Sequence, residues 1–183
     1  MKNKTAIAIG MCFSALLLSG CETTNSIPYK ASTSNVIAIQ QALQPAKVSV
    51  ADIKLASGVE ENPLCRLMGP VKVAPGKTLP QYIKEALQEE LFLAQAYDTK
   101  GPAIEGSIDE LSFSSVAPAN WKISMTVKSA KSAGYKVSVN FPFETSFTAI
   151  SACKNVADAF GPAVQELLKQ VVTNPQFATV AGK

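Results

Sequence analysis

Two stretches of the chain repeat apolar residues at helical spacing, and between them lies a region that alternates with a period of two. In the first stretch, Leu79, Tyr82, Ile83, Ala86, Leu87, Leu93, Ala94 and Tyr97 share one face of a helical wheel. Thr78 and Gln81 fit a capping box, with Pro80 in the first turn, so a helix is predicted to start there. In the second, Cys153, Val156, Ala157, Phe160, Val164, Leu167, Leu168 and Val171 form a single stripe over residues 150–172. Pro162 lies opposite that stripe and is expected to bend the helix while facing water; Asn174-Pro175 ends it.

The period-two region is a hairpin. Trp121, Ile123, Met125 and Val127 alternate with Lys122, Ser124, Thr126 and Lys128. Val137, Val139, Phe141 and Phe143 alternate with Lys136, Ser138 and Asn140 on the return. Ser132-Ala133-Gly134 fits the turn. One face is apolar and the other polar, as in a sheet covered on one side. Residues 103–115 read as another strand, with Ile104 and Ile108 on one parity and Leu111 and Phe113 on the other. That slip predicts a bulge near Asp109-Glu110. Residues 47–55 show the same slip at Ala51-Asp52, and residues 64–73 form a weaker strand interrupted by Gly69-Pro70. Asn35 is a candidate cap for a short helix over residues 36–43, with a strand over 36–39 as the alternative. The predicted class is α+β: a two-layer domain in which a mostly antiparallel sheet of three to five strands carries two amphipathic helices on one face.

The N-terminus follows a different pattern. Lys2 and Lys4 precede an apolar run from residue 6 to 18, too short to span a bilayer, and Leu18-Ser19-Gly20-Cys21 closes it. This arrangement resembles the lipobox of bacterial lipoproteins. The resemblance implies that residues 1–20 are a signal peptide, that Cys21 is acylated and becomes the first mature residue, and that Cys21 binds the membrane through its lipid. Glu22, in place of an aspartate, implies the outer membrane with the domain facing the periplasm; the inner membrane and the cell surface stay open. Residues 21–34 then read as a lipidated end and polar tether, and 35–183 as a single domain. The element order is also similar to small α+β envelope lipoproteins of the YajG-like and ABC-transport auxiliary (PqiC-like) types, on no specific motif.

Removing 20 of 183 residues leaves 163, and the loss of Lys2 and Lys4 turns 17 basic against 14 acidic residues into 15 against 14. With no basic block, nucleic acid is not an expected partner. With Cys12 removed and Cys21 lipidated, Cys65 and Cys153 remain as a pair for one disulfide, the alternative being two separate buried thiols.

Candidate chemistry is sparse. The chain has no histidine, which removes His-dependent triads and the usual zinc sites, and no cofactor is expected. Ala74-Pro75-Gly76-Lys77-Thr78 ends like a phosphate-binding loop but lacks the glycine required at position 71. Glu90 sits near the centre of an apolar stripe. Either the stripe is narrower than drawn, or Glu90 pairs with a lysine at the sheet edge, or it is a buried, functional carboxylate with a raised pKa. Leu91 and Phe92 are candidate anchors for a partner protein, as is the strand edge from Phe113 to Trp121. The expected function is a non-enzymatic accessory or binding module for an envelope protein complex. The alternatives are a lipid- or glycan-binding carrier with a pocket between sheet and helices, and a carboxylate-dependent hydrolase using Glu90.

Overall fold

Strand alternation in residues 120–142 places the apolar side chains on one face. These residues form β5 (Asn120–Ser129) and β6 (Ser132–Pro142), with Trp121 opposite Phe141, Ile123 opposite Val139 and Met125 opposite Val137. The hairpin turn is Ala130-Lys131, not the expected Ser132-Ala133-Gly134. Gly134 instead sits at a register shift with φ of 79°, where an added Cβ would lie 1.8 Å from the Val127 carbonyl oxygen. Glycine is required by that close approach rather than by the turn itself. On the other side of β5 runs β4 (Ala103–Ser114), antiparallel, with a register shift between Ile108 and Glu110, where the change of parity predicted a bulge.

This computed structural model describes residues 27–183 and the backbone of Thr23–Thr24. Cys21, with the signal-like run before it, lies outside the described residues. β2 (Ser49–Leu55) pairs parallel with β4, and its register shifts between Val50 and Ile53 as anticipated. The sheet order is β2-β4-β5-β6, a mixed sheet with mostly antiparallel pairing. A second, two-stranded sheet pairs β1 (Thr23–Thr24) in parallel with β3 (Val71–Lys72).

The helices cover the apolar face. α2 (Leu79–Leu93) starts at the complete capping box of Thr78 and Gln81 and packs along β2. α3 (Ala149–Val172) lies across β5 and β6, with Pro162 on its exposed side. The fold is thus α+β, with its core between one sheet and these two helices. Trp121 is at the centre of that core. It donates from Nε1 to the Val156 carbonyl at 2.8 Å, and its ring packs on Phe160 and Phe113.

Two helices differ from expectation. α1 (Thr33–Leu43) begins before Asn35, with Ser32 at the cap position, and Asn35 is buried inside its first turn. α1 packs mainly on α2 and α3, so it is a third helical element above the two-helix layer. After α3, a four-residue helix α4 (Phe177–Val180) buries Phe177 and Val180 against β5, β6 and α1. Four residues are too few to show a helical period in sequence.

Cys65 and Cys153 form a disulfide with Cα atoms 5.7 Å apart. Cys65 belongs to the loop before β3, not to a regular strand beneath α3. Because the bridge closes 88 residues of sequence separation, it removes much of the freedom of the unfolded chain. Replacing both cysteines by serine is expected to lower the unfolding free energy by about 4 kcal/mol in denaturant titration. Peptide mass analysis without reductant should recover the two cysteines in one linked pair; recovery of free thiols would contradict the bridge.

Candidate functional site

Glu90 is wholly buried, on the last turn of α2 that faces α1. No lysine meets it. Its Oε1 accepts three hydrogen bonds, from the Tyr29 hydroxyl at 2.7 Å, the Ser32 amide at 3.0 Å and the Asn35 Nδ2 at 3.1 Å. Oε2 is buried and has no hydrogen-bond partner among the described residues. Burial pushes the Glu90 carboxyl above the ordinary glutamate range, and the three hydrogen bonds pull partly against that rise; Glu89 beside it adds to it. The Tyr29 phenol is held far above its usual value by its own burial and by Glu90. Burial also raises the phenol of Tyr82, against which Tyr29 packs edge-on.

The donors all come from the segment expected to be a polar tether and from the helix that follows it. Asn35 also donates to the Gln165 carbonyl at 3.0 Å, and the Gln165 side-chain amide donates back to the Lys30 carbonyl. Residues 29–35 are therefore held between Glu90 on α2 and Gln165 on α3. Gly161 lets the Tyr82 hydroxyl come close to α3, since a Cβ there would lie 3.0 Å from it. Tyr29 and Gln165 are not singled out by the sequence, and Asn35 is singled out only as a helix cap. The available signal was the lone aromatic, Tyr29, in a polar run, and an Asn at a position that the helix turns inward.

The partner-contact candidates divide sharply. Leu91 is fully buried, continuing the row of Ile83 and Leu87 along the covered side of α2. Trp121 is also fully buried, on the inward parity of β5, and Phe113 is half-buried against it. None of these three offers a free anchor. Phe92 does, at 70 % exposure, and Leu93 beside it is 51 % exposed although the helical wheel placed it on the core stripe. The helix ends at Leu93, and Gln95 turns the chain away with φ of 59°, so Leu93 is beyond the reach of the core. Phe92 and Leu93 line an open depression of about 720 Å³ with Gln44, Pro45, Lys47, Gln95 and Tyr97. It lies at the end of the domain where β2 begins and α2 finishes.

The space between sheet and helices is filled by Trp121, Phe160, Ile108, Ile123 and Met125, each at most 1 % exposed. Among the described residues, no group of three or more His, Cys, Asp or Glu side chains is placed to hold a metal ion. Among the described residues, no helix is long and apolar enough to cross a membrane. Lys77, in the sequence that ends like a phosphate loop, pairs with Glu85, and Thr78 is the helix cap. On the open face of the sheet, Lys128 pairs with Glu105 and Lys136 with Asp109.

The fold is similar to that of protein XCC0632 from Xanthomonas campestris, whose crystal structure carries the family name DUF330. The TM-score is 0.54 at 10 % identity, over 88 % of this chain and 95 % of that one. At that identity the likeness is one of fold alone. No family model matches the chain, and no curated protein matches it.

The Glu90 clamp has a defined pH signature. A carboxyl whose pKa is raised on folding binds its proton more tightly in the folded state. Its contribution is full below the unfolded pKa and declines as pH rises to the folded value. Thermal melts should show stability falling with pH just above the ordinary carboxyl range, and Glu90→Gln should flatten that segment. Glu90→Ala strands the donors of Tyr29, Ser32 and Asn35 and is expected to cost about 3 kcal/mol. Equal pH slopes in wild type and Glu90→Gln would exclude this carboxyl as the source.

Proposed function

We propose that the protein is a lipid-anchored envelope lipoprotein that works as a non-enzymatic accessory module, binding another envelope protein through the end of the domain that carries Phe92 and Leu93. The observation that carries this reading is the exposed Phe92-Leu93 pair at the rim of an open depression. Apolar anchors with a polar surround of Gln44, Lys47 and Gln95 suit a protein surface, where a few central side chains dominate affinity. The anchor itself is read from the lipobox at Leu18-Ser19-Gly20-Cys21, and the outer membrane from Glu22. The filled interior lends no support to a carrier. Glu90, enclosed and occupied by Tyr29, Ser32 and Asn35, lends none to a hydrolase.

Affinity capture from detergent-solubilised envelopes tests the proposal. The wild-type chain should return a specific partner, and Phe92→Asp with Leu93→Asp should lose it with an unchanged unfolding midpoint. A loss of about 2 kcal/mol, or roughly thirtyfold in affinity, is the expected size for a central anchor. Capture that repeatedly returns no specific partner, or that survives both substitutions, would count against it.

A further inference from the structure

At the end of the domain opposite Phe92, three loops come together and leave their apolar residues outside. The loop before β3 contributes Leu64 and Leu67, the β4–β5 loop contributes Val116, and the start of α3 with the loop before it contributes Phe147 and Ile150. Leu67 and Phe147 are fully exposed, and the other three are mostly exposed. These loops are not loose. Arg66, at a positive φ of 52°, donates to the Ser115 carbonyl at 2.8 Å, the Ser146 carbonyl at 3.2 Å and the Phe147 carbonyl at 3.3 Å. Its Nε also meets the Ser115 hydroxyl at 3.2 Å, and Thr145 donates to the same Ser115 carbonyl. The Cys65–Cys153 bridge fastens the first loop to α3. The structure therefore fixes an exposed apolar tip and satisfies carbonyls that would otherwise need water.

The strand β1 begins beside this tip. β1 runs parallel to β3 with Thr23 opposite Val71, so β1 begins where β3 begins, next to the loop of residues 64–70. Leu64 bridges to Pro70, and the Cys65 amide binds the Gly69 carbonyl, which puts that loop immediately beside Val71. Cys21 precedes Thr23 by two residues, a reach of at most about 7 Å.

We propose that this tip is a membrane-contact surface, in which Leu64, Leu67, Val116, Phe147 and Ile150 enter the interfacial layer of the bilayer that holds the N-terminus. The proposal rests on the lipid-anchor reading above and goes beyond it: the lipid sets residence, and the tip sets orientation. Exposed loop ends can enter an interface at lower cost where backbone groups are already paired, as the Ser115, Ser146 and Phe147 carbonyls are here. The charge around it is mixed rather than basic: Arg66 is engaged with the loop carbonyls, Lys154 pairs with Asp158, and Glu60, Glu61 and Glu144 flank the loops in sequence. Contact is therefore apolar and insensitive to salt, unlike attraction to anionic lipid. With β4 running the length of the sheet for 12 residues, the Phe92 end stands roughly 30–40 Å from the bilayer.

The test uses the lipidated chain in vesicles of zwitterionic lipid, with and without bromine near the headgroup end of the acyl chains. Single substitutions Leu67→Trp, Phe147→Trp and, as the control at the far end, Phe92→Trp report contact by quenching, over a constant background from buried Trp121. Quenching at 67 and 147 but not at 92, unchanged by high salt, is expected. No quenching at 67 and 147, or equal quenching at all three, overturns the proposal. Intact mass decides the anchor separately. If Cys21 carries no lipid, that reading falls, and the tip is judged on the Cys21→Ser chain with excess vesicles, where quenching at 67 and 147 sustains it and none overturns it. In that chain, Leu67→Ser with Phe147→Ser should lower vesicle partitioning roughly tenfold without moving the unfolding midpoint. If those serines abolish capture of a protein while the tryptophans stay unquenched, the tip is a protein contact and the membrane assignment is wrong.

Discussion

A carboxyl group with no exposed surface has to be met by donors, and the arrangement of the N-terminal half of the domain follows from meeting Glu90. One oxygen collects a phenol, a backbone amide and a side-chain amide, all from the chain between Tyr29 and Asn35. That requirement fixes where α1 starts, why Asn35 is inside it rather than capping it, and why α1 lies across α2 and α3. The other oxygen has no partner among the described residues, and the raised pKa reduces that penalty by favouring the neutral acid.

From this clamp an aromatic series crosses the molecule. Tyr29 packs on Tyr82, Tyr82 on Phe160, Phe160 on Trp121 and Trp121 on Phe113, with ring centres 4.8–5.9 Å apart. The series joins the N-terminal segment, both long helices and two central strands. The layers are thus coupled by large rigid side chains, and Trp121 adds a buried hydrogen bond to α3. Two groups of exposed apolar residues lie at the two ends of the sheet. One end carries Phe92 and Leu93; the other carries the disulfide, Arg66 and the loop tips.

What could be read from sequence was whatever depends on local period and local chemistry. The capping box at Thr78, the parity slips of β2 and β4, the apolar stripe of α3 and the outward Pro162 all belong to this kind. The cysteine pair could be read because few thiols remained to choose from. What could not be read depends on which element covers which. Leu91 and Trp121 were offered as contact residues because an isolated helix or strand does not reveal the neighbour above it. The hairpin turn moved by two residues because Gly134 answers a close backbone approach across the strands, which looks the same in sequence as a turn glycine. For Glu90, the sequence showed a charge on an apolar face, but its partners lay some 55 to 61 residues away. The apolar tip was missed for the same reason: its five residues come from loops that only the disulfide and Arg66 bring together.

The parallel pairing of Thr23–Thr24 with Val71–Lys72 has a mechanical consequence. A pull applied at Thr23 does not load the main sheet directly, since β1 pairs with β3 in the separate two-stranded sheet. It loads β3 first, then the Glu90 and Gln165 hydrogen bonds further along the same segment, and through them the two long helices. Because Cys65 lies just ahead of β3 and is bonded to α3, the first element to take the strain is covalently braced to the largest helix. The fold is reinforced along the one line on which an anchored domain would be tugged.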